Sequence, residues 1–129
     1  MKMNTIFSVQ WILIASIWYF GSGVLHDIFV IKDHPGEYTR DLLRLLMDGH
    51  VLIFSGVVLF VCYLMMLSKI QCGATIGIIV AGFMLLYCAM IFPFLKSFGT
   101  MAISGMVIVV CLRLYSTFPS IWDVMEKYR

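Results

Sequence analysis

The segment HDIFVIKDHPGEYTRDLLRLLMDGH, residues 26–50, decides how this chain folds. It holds all three histidines and five of the seven acids, Asp27, Asp33, Glu37, Asp41 and Asp48. Near its middle Asp33, His34, Pro35 and Gly36 form a turn cluster, because proline and glycine both interrupt regular structure. On each side of that turn runs apolar sequence long enough to cross a bilayer, which takes about 20 helical residues. The segment therefore reads as the hinge of a membrane hairpin, with its polar residues gathered at one end.

Outside this segment the chain is almost entirely oil. Its 129 residues are 62% hydrophobic and only 12% charged. A soluble domain carries about 25% charge, so the composition excludes one. The length fits a single polytopic membrane domain. Apolar runs place four spans at about residues 5–31, 42–68, 72–92 and 98–115. A short amphipathic helix is expected at about residues 119–128. There Phe118, Ile121, Trp122, Met125 and Tyr128 share one side, opposite Asp123, Glu126 and Lys127, as in a helix lying on a membrane surface. The expected fold is all-α, an integral membrane four-helix bundle with that surface helix at its C-terminal end.

Local signals refine the spans. Thr39 or Asp41 is the expected N-cap of the second helix. Gly21, Ser22 and Gly23 are small enough to admit a neighbouring helix, and Gly73, Gly77 and Ala81 make a small-residue stripe in the third span. That stripe suits packing within the chain or between copies of it. Residues 68–71 form a short turn, Pro93 ends or kinks the third span, and Lys96 and Ser97 make a tight connection. In the fourth span Gly99, Ala102, Ser104 and Gly105 are small, and Arg113 sits where it can snorkel to the headgroups.

Several function classes drop out. A net charge of +2 without a basic patch gives no electrostatic footprint for nucleic acid. Of four cysteines, Cys62, Cys88 and Cys111 lie within apolar runs and Cys72 at a turn, with no CxxC, so neither a disulfide frame nor a dithiol motif is indicated. The ten methionines read as gap-filling packing rather than as copper ligands. The first apolar run follows Lys2 but is long, aromatic and without an A-x-A-like site, and is expected to remain as a span. Four spans leave both termini on one side, with Lys2, Lys69, Arg113, Lys127 and Arg129 against Lys32, Arg40, Arg44 and Lys96 on the other. That excess of one places the termini in the cytoplasm and the histidine-bearing loop outside, in a membrane of bacterial inner-membrane type, and is small enough to leave insertion in both orientations open.

The ionisable residues carry what chemistry there is. His26 lies six residues before Lys32 and His50 six residues after Arg44, each about 9 Å along a helix at ~1.5 Å per residue. Both imidazoles therefore reach a similar depth below the same face. An ionisable group in hydrocarbon costs about 2.5–3.5 kcal/mol at mid-span, so Asp27 and Asp48 beside them should pair or face the bundle. Four readings follow. His26, His34 and His50 with Asp27 and Asp48 could ligate a zinc-like divalent ion, or pass protons. His26 and His50 could be the axial ligands of haem b. Ser22, His26, Asp27 and His50 hold the inventory of a zinc hydrolase, without a spacing that assigns a catalytic set. Finally, Arg40, Asp41, Arg44 and Asp48 could form an ion-pair network that locks the hairpin of a scaffold or assembly subunit in a larger membrane complex or homo-oligomer, the arginines alternatively attracting an anionic group. A geometric constraint bears on all four: Asp48 and His50, two residues apart, point about 200° apart around a helix.

Overall fold

A computed structural model describes residues 3–36, 38–91, 97–120 and 126. Four helices follow one another: α1 (Met3–Asp33), α2 (Arg40–Leu67), α3 (Gln71–Ile91) and α4 (Phe98–Tyr115). Each is long and apolar enough to span a membrane. At ~1.5 Å per residue even the shortest, of 18 residues, reaches about 27 Å. The chain is an integral membrane protein built as a four-helix bundle, and the helices begin and end within two residues of the expected spans. Pro119 and Ser120 are not helical. The surface helix expected at 119–128 therefore does not begin at Pro119 and is not supported; apart from Glu126, which is helical, the rest of it, like Pro93 and Lys96, lies outside the described residues.

The helix ends are set by local chemistry. Thr39 caps α2, its hydroxyl accepting from Leu42 N at 3.2 Å, which satisfies one of the unpaired amides of the first turn. At the C-terminal end of α2 the amide of Lys69 bonds Met66 O and that of Ile70 bonds Met65 O, both at 3.0 Å. This double bond closes a Schellman cap. Its left-handed position is held by Lys69, with φ of 58°, rather than by glycine.

The helices run alternately up and down and pack in a ring, α1 on α2, α2 on α3, α3 on α4 and α4 back on α1. The α1–α2 seam is the tightest. A Cβ on Gly23 would come 2.6 Å from Gly49 O, and one on Gly56 would come 2.6 Å from Phe20 N. The two backbones therefore touch, with Ser16 Oγ donating to Gly56 O at 2.8 Å across the same seam. Lipid gives no hydrophobic drive for association, so close van der Waals packing of this kind must supply it. Gly21 takes no part: nothing approaches its Cβ position within 4 Å. On α3 the small-residue stripe is used inside the chain, Gly73 against Met65 and Cys62 of α2, Gly77 against Cys111 of α4.

The interior has two unlike halves. Towards the termini it is filled by Val9, Ile12, Leu59, Cys62, Met66, Cys111 and Leu114, all buried. Towards the hairpin loop it becomes polar. Tyr19, fully buried, meets Ser104 of α4. Ser104 spends its own proton on Thr100 O at 2.7 Å, so the Tyr19 hydroxyl donates to Ser104. Ser55 donates to Met84 Sδ at 3.1 Å. The outer surface carries the large apolar side chains, such as Phe7, Phe54, Ile79 and Met90, as a lipid-facing surface requires.

Candidate functional site

The residues singled out in the sequence stand together at the loop end of the bundle, where α1 finishes, α2 begins and α3 finishes. The structure distributes them over several separate contacts.

Between α1 and α2, His50 Nδ1 lies 3.2 Å from Asp27 Oδ2. The same nitrogen is 2.7 Å from Leu46 O. Both neighbours only accept, so Nδ1 carries the proton, and in the neutral ring Nε2 is left as the acceptor. Asp27 is largely enclosed, its side chain 14% exposed, whereas that of His50 is 69% exposed. The second carboxylate oxygen, Asp27 Oδ1, is buried and has no hydrogen-bond partner among the described residues. It rests on Gly49, at the place a side chain there would occupy. Asp27 thus meets an imidazole through one carboxylate oxygen while the other is enclosed against the backbone of α2.

Between α2 and α3, the Tyr87 hydroxyl donates to Asp48 Oδ1. The 200° separation thus has a direct result: His50 Nδ1 meets Asp27 of α1, whereas Asp48 meets Tyr87 of α3. On the surface above them Arg44 meets Asp41 at 3.7 Å, with both side chains mostly exposed. Such exposed pairs contribute about 0–1 kcal/mol. Among the described residues Arg40 makes no ion pair, and Asp48 is joined to Tyr87 rather than to Arg44.

The other two histidines serve helix ends and seams. His26 Nε2 donates to Leu45 O of α2 at 3.0 Å. His34 Nδ1 donates to Val30 O at 3.0 Å, closing the last turn of its own helix. The set His26, His34, His50, Asp27 and Asp48 does not converge: among the described residues no three His, Cys, Asp or Glu side chains form a group able to hold a metal ion. The reason is angular. Helices fix the direction of each side chain, so only Asp27 and His50 meet, while His26, His34 and Asp48 each bond a different partner elsewhere.

Tyr87 and Tyr19 are the participants that sequence reasoning missed. Each is a hydroxyl within an apolar run, and that was the available signal, since a buried tyrosine hydroxyl needs a partner. No protein-family model, curated protein or solved structure matches this chain.

Proposed function

We propose that this protein takes up and releases protons at one membrane face through the Asp27–His50 couple. The observation that carries this reading is the 3.2 Å contact between His50 Nδ1 and Asp27 Oδ2, with Asp27 Oδ1 buried and without a hydrogen-bond partner among the described residues. One side of the couple is accessible and the other enclosed, as a proton relay needs. The mainly apolar packing of the terminal half supports exchange at one face rather than conduction through a single chain. On the excess of basic residues at the termini side, that face is the outer one of a bacterial inner membrane, with the termini in the cytoplasm.

The test is infrared difference spectroscopy of the protein in nanodiscs during acidification. A protonated-carboxyl band should appear in wild type, vanish in Asp27→Asn and move in His50→Ala. Superimposable spectra for wild type and Asp27→Asn would end the proposal. Metal and absorption analysis of the same preparation separates the remaining chemistries. One equivalent of zinc lost in His50→Ala would reassign the site to a metal ion, and a Soret band would reassign it to haem.

A second reading, as an assembly subunit, is favoured by a different feature. A notch of about 350 Å³ opens to lipid between α1 and α2, lined by Ser16, Gly21 and Gly56 below Ile17, Phe20 and Phe60. Its floor of small residues suits a helix of a second copy or of a larger complex. Gly21→Leu, which fills the notch without touching the bundle, should dissociate such a complex on a sizing column.

A further inference from the structure

A second groove lies between α2 and α3 on the lipid-facing surface. It measures about 530 Å³ and is lined on α2 by the apolar Met47, Val51 and Phe54 and by the imidazole of His50, and on α3 by Ile79 and Phe83. That volume falls within the ~300–1,000 Å³ usual for small-molecule sites. The groove continues towards the loop end as a line of sequence: residues 40, 44, 47, 51, 54 and 58 alternate steps of four and three, the spacing of one helix face. The first two members of that line are Arg40 and Arg44, both exposed. Arg44 stands three residues before Met47, about 4.5 Å higher along the axis at ~1.5 Å per residue.

Two cations directly above an apolar trough, at the level where headgroups begin, make an amphiphile site with its charge specified. A guanidinium binds phosphate oxygens in pairs, and basic groups beside a cleft between membrane helices are a recurrent means of holding anionic headgroups. We infer that this groove binds an anionic phospholipid, its phosphate held by Arg40 and Arg44 and one acyl chain seated along Met47, Val51, Phe54 and Val58. Asp41, 3.7 Å from Arg44, is the competing anion that the phosphate displaces.

The test uses the full chain in mild detergent, titrated with phosphatidylglycerol or phosphatidylcholine and read by native mass spectrometry. Wild type should retain phosphatidylglycerol at least tenfold more tightly than phosphatidylcholine. Arg40→Gln/Arg44→Gln should lose that preference, Arg40→Lys/Arg44→Lys should keep most of it, and Asp41→Asn should raise it. Val51→Trp, which fills the trough, should weaken both lipids. Equal retention of the two lipids by wild type overturns the inference. So does a preference that survives the double glutamine variant, or binding undiminished in Val51→Trp. Circular dichroism and a monodisperse elution peak confirm that each variant is folded. The lysine pair keeps the question open to decision if the glutamine pair is not.

Discussion

Gly49 lies flat against the carboxylate of Asp27. A Cβ at Gly49 would collide with Asp27 Oδ1, come 2.7 Å from its Cγ and sit 3.0 Å from Gly23 O. The atoms it strikes first are the free end of a side chain, so the acid can swing away while the helices stay. Gly49→Ala should therefore remove the Asp27–His50 contact while leaving the bundle folded. The infrared band assigned to Asp27 should shift as it does in His50→Ala, with the helical signal unchanged.

Gly56 is a different case. Its Cβ would meet Phe20 N at 2.6 Å and Ser16 O at 2.9 Å, and backbone cannot step aside. Gly56→Ala should destabilise the α1–α2 hairpin by about 1–3 kcal/mol, the usual cost of overpacking. The Gly21→Ala substitution, in open space, should be neutral or stabilising by up to about 1 kcal/mol, since alanine loses less backbone entropy than glycine in a helix. Unfolding in graded detergent mixtures ranks the two, and equal losses would contradict the packing described.

Tyr87→Phe leaves the Asp48 carboxylate without its hydroxyl donor. A loss of about 1–2 kcal/mol is expected from stranding that acceptor. Asp48→Asn should lose less, because an amide oxygen still accepts from Tyr87. A double-mutant cycle over Asp48→Ala and Tyr87→Phe should return a coupling of roughly 0.6–1.7 kcal/mol, the range of polar contacts measured between membrane helices. Zero coupling would mean that the two side chains do not meet.

Lys69 holds a left-handed conformation, φ of 58°, which costs an L-residue with a Cβ about 1–2 kcal/mol. Lys69→Gly relieves it at the position where the Schellman cap favours glycine. Thermal unfolding should move upwards by an equivalent of about 1 kcal/mol. No gain would indicate that the lysine side chain itself stabilises the turn.

The four spans were legible because length and apolarity alone specify a membrane helix, and Thr39 because its hydroxyl precedes an apolar run. The division of Asp48 from His50 was also legible, since helix geometry fixes it. What the sequence hid was which way each helix faces. In α3 nearly every position is apolar, so no polar stripe marks the lipid side, and Tyr87 carried no visible direction. Gly21 and Gly23 looked alike for the same reason. Only the α2 backbone distinguishes them, passing over Gly23 and leaving Gly21 bare. His34, read from the sequence as a loop ligand, bonds Val30 O and closes the helix it follows.

The bond from Tyr19 to Ser104 spans 85 positions of sequence and joins the first helix to the last. At ~5–20 residues per second of synthesis, Tyr19 is in place for about 4–17 s before Ser104 exists. During that interval a hydroxyl destined for a dry interior has no native acceptor, and α1 and α2 stand as an open pair. Only when α4 arrives is the ring closed and that hydroxyl given its native acceptor.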